Sequence, residues 1–278
     1  MITRLLLAID DTPSSRQAQA LGLALARAHK AAIEGLAIVD TAWIFRPQAV
    51  GVGGTAYRVH AEETELRAAR REAGAAAEAL RQEMAAAGIE GFVRVEEGAP
   101  VGVIATASVA CDLITLGHDA RFWGDGASDV SRIAADLLRN DPRPVLLAAT
   151  RPPAGEALLV TFDGSVASSR ALHMLALLGL AAGRRVRVLS IDADLAVAGR
   201  RAEQAAQLLR AHGAMGAEAV SLAPTAPPAE MIMAQAAEID AGLLSMGAYG
   251  HTGLKELLFG STTRTLLRQE GMNLFLHH

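Results

Sequence analysis

Four small residues toward the end of the chain have the types and spacing to cradle a phosphate chain. Gly247, Gly250, Gly260 and Ser261 stand in the pattern G-x2-G-x9-G-S, with Thr262 following. Glycines let a backbone take positive φ and approach a ligand closely. Ser261 and Thr262 are favourable helix N-cap types, and the unpaired N–H groups of a helix start can receive an anion. The apolar run LLSMG before the loop reads as a buried strand, so strand, glycine loop and helix follow one another as in a phosphate-binding nest. The alternative, that these glycines serve only turns, requires three glycines and a serine to coincide by chance. Asp163, followed by Gly164 and Ser165, ends another apolar run, and Ile191 and Asp192 end a third. A parallel sheet would gather these positions, because ligands bind outside the carboxyl ends of its strands.

The elements that must position these residues occur twice. LLLAIDDTPSSRQAQAL is echoed by LLVTFDGSVASSRALHML, CDLITLGHDA by AGLLSMGAYG, and DVSRIAADLLRNDPRPVLLA by GSTTRTLLRQEGMNLFLHH, in the same order. A repeat on this scale reads as two copies of one domain, 1–150 and 151–278, joined near Pro152 and Pro153. Apolar runs predict strands at about 4–10, 33–39, 91–96, 112–117 and 144–149, then 157–163, 185–191, 217–222, 242–247 and 273–277. Helical patterns fill about 14–29, 58–87, 100–109 and 131–140, then 165–182, 197–212, 227–239 and 261–269. Alternating strands and helices predict an α/β fold: two tandem doubly wound parallel sheets of five strands. PVLLAAT and NLFLHH read as edge strands that would pair antiparallel within the chain as a pseudo-dimer, hiding two edges.

With those residues in place, the chain resembles the universal stress protein family, whose nucleotide-binding signature is G-x2-G-x9-G-S. The resemblance covers essentially the whole chain in two copies and implies a five-stranded α/β domain that binds ATP. It implies adenosine against Asp163, with adenine held by main chain near Ile191. It implies Gly247 at the ribose, Gly250, Gly260 and Ser261 on the phosphates, Thr262 adding an amide, and Mg2+ accompanying them. Half two departs from the family in having Ala226-Pro-Pro228 where half one has Gly98-Ala-Pro100.

Half one departs at the site itself. Ala120 and Val130 replace the second and third glycines, Asp119, Asp125 and Asp129 add negative charge, and Asp11 stands for Gly164. A branched side chain where phosphate would approach predicts that half one has lost triphosphate binding. Among other candidates, His118 and His251 read as rim or solvent histidines, and Cys111 as a small buried hydrophobe. Asp163 also suits a helix N-cap, and Ser14-Ser15-Arg16 and Ser168-Ser169-Arg170 read as solvated helix openings. His277 and His278 end a strand, with metal binding as the alternative. TAWIFRPQAVGVGGTAY, with Trp43, Phe45 and Tyr57, reads as a lid or partner contact, and Glu62, Glu63 and Glu65 would support Arg67, Arg70 and Arg71 a turn later on one helix.

Composition narrows the function. The 278 residues carry a net charge of −4 with mixed signs, which argues against nucleic acid, and one cysteine excludes a disulfide framework. No apolar stretch reaches membrane-spanning length and no signal peptide is evident, so a cytoplasmic protein is expected. No G-x4-G-K-[ST] loop or paired acid and base accompanies the glycines. The expectation is an ATP-binding stress or signalling protein with an unidentified protein partner and a homodimer. A slow ATPase in the same pocket and a nucleotide-independent scaffold are the alternatives.

Overall fold

The computed structural model describes residues 1–48, 55–123, 130–248, 261–269 and 271–278; side chains at 130–132 and 261 are outside that description. Its contacts form two compact units, Thr3–Leu137 and Met1–Ile2 with Leu138–His278. In the first unit, β1 (Arg4–Ile9), β2 (Ala32–Val39), β3 (Gly91–Glu97) and β4 (Leu113–Gly117) form a sheet in the order β3-β2-β1-β4. β1 lies parallel to β2 with Leu6 opposite Glu34, and parallel to β4 with Leu6 opposite Ile114.

The second unit holds β5 (Val145–Ala148), β6 (Ala157–Thr161), β7 (Val186–Ile191), β8 (Glu218–Leu222), β9 (Ala241–Gly247) and β10 (Asn273–His277), ordered β5-β10-β9-β6-β7-β8. All of these pairings are parallel except one. β5 runs antiparallel to β10, with Leu147 opposite Leu274 and Leu146 opposite Phe275. The two terminal apolar strands thus pair as their sequences suggest, and the fifth strand of the first repeat packs within the second unit. The Asn273 side chain accepts a hydrogen bond from the Ala149 amide, 2.9 Å away, and extends that seam.

Helices follow the strands as the periodicity predicts. α1 (Pro13–His29) begins with Pro13 and is capped by Thr12, and it ends at Lys30 in the left-handed conformation. Ala18, Gly22, Leu25 and Ala26 form its buried stripe. α2 (Thr41–Ile44), which the sequence reading missed, is a single turn capped by Asp40. α3 (Thr55–Ala86) buries only Ala69, Ala73, Ala77, Leu80 and Met84; its first three turns are solvated. Glu63 and Arg67 pair as expected, whereas Arg70 reaches across to Glu97 on β3 instead of along its own helix. α4 (Pro100–Ala107) and α5 (Val130–Asn140) complete the first repeat.

In the second repeat, α6 (Val166–Leu177) is shorter than expected because Gly179 at φ 76° turns the chain away. α7 (Leu195–Ala211) is capped by Asp194, α8 (Pro228–Glu238) starts on a proline, and α9 (Ser261–Leu266) is short. No described helix is long and apolar enough to cross a membrane.

Gly35 marks a close helix–sheet approach in the middle of a strand. A Cβ there would lie 2.7 Å from Leu80 and 2.9 Å from Val93, so β2 passes beneath α3 with no room for a methyl group. Gly35→Ala is expected to lower stability by about 1–3 kcal/mol through overpacking. At Gly74 on α3 a Cβ meets nothing within 4 Å. Gly74→Ala should instead raise stability by about 0.5–1 kcal/mol. Chemical denaturation of the two variants checks both signs.

Candidate functional site

A cleft opens at the carboxyl ends of β6, β7 and β9, with a volume of about 440 Å³. That lies in the range of small-molecule sites, about 300–1,000 Å³. Parallel strands bring it about: each crossover returns the chain to the same edge, so the residues just past the strands converge there. Phe162, Leu189, Ile191 and Met246 form an apolar wall from the strands, and Pro224, Pro228 and Ile232 add to it from α8 and the loop before it. Asp163, Ser165, Ser168, Asp192, Arg201, Thr262 and Thr263 supply the polar positions. An apolar wall together with carboxylates and hydroxyls in one cleft suits a ring carrying a hydroxylated or anionic tail.

Each polar residue is held locally. The Asp163 carboxylate accepts a hydrogen bond from the Ser165 amide at 2.9 Å, closing a tight turn around Gly164. Ser165, not Asp163, is the N-cap of α6: its hydroxyl accepts from the Ser168 amide at 3.1 Å. The capping expectation for Asp163 is thereby corrected, because a carboxylate two residues further upstream bonds the turn rather than the helix. Gly164 sits at φ 77°, and a Cβ there would lie 2.8 Å from Arg201 Nε. Arg201, reaching from α7, donates to Asp192 at 2.7 Å. The Asp194 amide and Arg201 together hold the Asp192 carboxyl below its usual range, so it stands ionised beside the cation.

Of the residues singled out in sequence, Asp163, Ser165, Ile191, Gly247 and Thr262 line this one cleft, and Gly164 adjoins it. Ser261 opens α9. Gly250, Gly260 and His251 lie outside the described residues. Arg201, Pro224 and Ile232 escaped the sequence reading, and Pro228 entered it only within the departure Ala226-Pro-Pro228. Arg201 lies in an ordinary charged helix, and nothing in its spacing ties it to Gly164. Pro224 and Pro228 did leave a signal, since they flank the point where half two departs from the family pattern.

Gly247 has a packing duty as well. A Cβ there would lie 2.4 Å from the Ser168 amide nitrogen. Gly117, its counterpart in the first repeat, meets the equivalent Ser15 amide at 2.6 Å. The first motif glycine is therefore retained in both repeats because a helix start crosses the strand end there. Packing alone accounts for a glycine at this position in both repeats.

The first repeat treats its own strand end differently. Asp10 is 2% exposed. It accepts from the Thr12 amide at 3.0 Å and the Thr12 hydroxyl at 2.7 Å, and further from the amides of Arg121 and Phe122, the latter at 3.0 Å. Two expectations are corrected here. His118 is buried, not on the rim, because it follows directly on β4 beneath this loop. Ser14 and Ser15 are buried rather than solvated: Ser15 Oγ accepts from the Asp10 amide at 2.8 Å, and Ser14 bonds Asp119. Ser168 is buried in the same way at the cap of α6. Arg170 turns from the cleft to the His278 carbonyl. Cys111 is buried as expected.

The model of the universal stress protein family matches residues 1–148 and 156–269. A solved universal stress protein from Archaeoglobus fulgidus is 20% identical, with a TM-score of 0.63, and the match covers 99% of this chain and 97% of that one. A functionally unknown protein from Pseudomonas aeruginosa is 17% identical, with a TM-score of 0.62, covering 99% of this chain and 92% of that one. At these identities the likeness is one of fold. No curated protein matches this chain.

The strand that closes this unit carries a pH dependence. His277 is largely buried, and its carbonyl accepts the Ala248 amide at 2.7 Å, anchoring the residue after Gly247. Burial lowers its pKa from 6.5, with a contact to the Pro142 carbonyl opposing and the charges of His278 and Arg170 assisting. A histidine with a lowered folded-state pKa binds its proton more readily when unfolded. Its contribution is therefore full above about pH 6.5 and is lost as pH falls through the lowered value. The denaturation midpoint is expected to decline from pH 7.5 to pH 5, and His277→Gln should flatten that decline.

Proposed function

Since the chain belongs to the universal stress protein family, we propose that its second repeat binds an adenine nucleotide, ATP with Mg2+, as a stress or signalling protein. The observation that carries this reading is the convergence of Asp163, Ile191, Gly247 and Thr262 on one cleft of about 440 Å³. In it, the base lies against the apolar wall beside Ile191, and the ribose hydroxyls face the Asp163 carboxylate. The phosphates extend past Gly247 toward Thr262, and the family signature assigns Gly250, Gly260 and Ser261 to them as well. Mg2+ arrives with the phosphates, as this hard cation commonly does. Among the described residues no three His, Cys, Asp or Glu side chains cluster to hold a metal by themselves.

Binding is favoured over turnover as the primary role. Asp192 is tied to Arg201 and Asp163 bonds the Ser165 amide, so both cleft carboxylates are placed to orient. A cytoplasmic location, a homodimer and a protein partner that reads the bound state belong to the same proposal.

Isothermal titration with ATP and magnesium tests it. The full chain is expected to bind ATP, and mass spectrometry of the denatured protein to find an adenine nucleotide. Asp163→Asn should weaken binding by about 10- to 100-fold, the worth of a hydrogen bond to a charged group. Absence of binding, with no thermal shift by ATP, would overturn the reading in favour of a scaffold. Steady phosphate release above a Ser261→Ala control would move it to a slow ATPase.

A further inference from the structure

The crevice of the first repeat is filled by its own chain. Past β4, residues 121–123 fold back over the end of β1, and the amides of Arg121 and Phe122 donate to Asp10. The Phe122 carbonyl accepts from the amide of Asp40, just past β2, at 3.3 Å. The Phe122 ring is fully buried. One residue thus offers a flat ring, a donor to the carboxylate ending the first strand and an acceptor to main chain past the second. Those are the positions that in the second repeat, at Asp163 and around Ile191 and Asp192, border an open cleft.

Two further observations set this loop apart from ordinary core. Phe122 and Trp123 both hold left-handed backbone, at φ 50° and 58°. Consecutive non-glycine residues of this kind persist only where surrounding contacts impose them. Trp123 is 9% exposed, and its indole nitrogen is buried with no hydrogen-bond partner among the described residues, as is that of Trp43 on α2. Buried donors without acceptors are uncommon in a finished core.

We propose that the first repeat is a self-liganded nucleoside site, in which Phe122 stands where a planar base with a polar edge would lie. This reaches beyond the second-repeat cleft and does not depend on what that cleft binds. Only the choice of adenosine as probe rests on the reading above.

Equilibrium dialysis of the full chain with adenosine, wild type against Phe122→Ala, tests it by difference. The variant is expected to bind one more equivalent than wild type, whatever the wild-type number. Both tryptophans, Trp43 and Trp123, lie in the first unit, so a change in emission on binding reports that unit. Adding Asp10→Asn to Phe122→Ala should weaken the additional site at least tenfold. Phenol, which fits the ring slot alone, is the comparison ligand. A folded variant with no added equivalent overturns the proposal. So does a variant that takes phenol but not adenosine, or one whose added site ignores Asp10→Asn, since each makes Phe122 a simple core residue. If Phe122→Ala does not fold, Phe122→Leu carries the same measurement. Adenosine-induced recovery of folded emission by Phe122→Ala would then support the proposal, and failure of both would overturn it.

Discussion

A carboxylate at the end of a central parallel strand must have its charge met, and the two repeats meet it in different ways. Burying an ionised group without partners is far costlier than any single packing contact is worth. Asp10 is 2% exposed and is surrounded by donors from its own chain: the amide and hydroxyl of Thr12 and the amides of Arg121 and Phe122. Asp163 stands half-buried at an open cleft, with the Ser165 amide on one oxygen. The same residue at the same place is thus sealed by its own chain in one repeat and lines an open cleft in the other. What separates them is where the chain goes after the fourth strand.

Around that carboxylate the repeats share more packing than chemistry. Gly117 and Gly247 both lie under a helix start, within 2.6 Å and 2.4 Å of a serine amide if a Cβ is added. Thr12 and Ser165 cap the equivalent helices. These features survive in a repeat whose crevice is closed, because the helix must begin against the strand end whether or not a ligand follows. Gly164 is different: its positive φ and the nearby Arg201 side chain exclude a Cβ, and the first repeat replaces it with exposed Asp11.

The terminal strands solve a separate problem. β5 and β10 are apolar and buried, and alone each would leave an unpaired edge that invites association. Their antiparallel pairing satisfies both, and it places the first repeat's fifth strand in the second unit's contacts. The same strand pairs its carbonyl at His277 with Ala248, linking the seam to the residue after the first motif glycine.

Much of this was legible in the residues. Apolar runs of strand length, helical stripes between them and a repeated order of both determined the α/β class and its two copies, because those patterns depend only on local geometry and burial. Small residues at strand ends marked the cleft for the same reason. Local pattern did not reveal the single turn of α2, the early end of α6, or that Arg70 would leave its helix to meet Glu97. Nor could it show Arg201 over Gly164, or Phe122 against Asp10, a contact spanning 112 residues. Such contacts join residues whose separation along the chain carries no periodicity. Tertiary folding alone decided which aspartate would be sealed and which left to face a cleft.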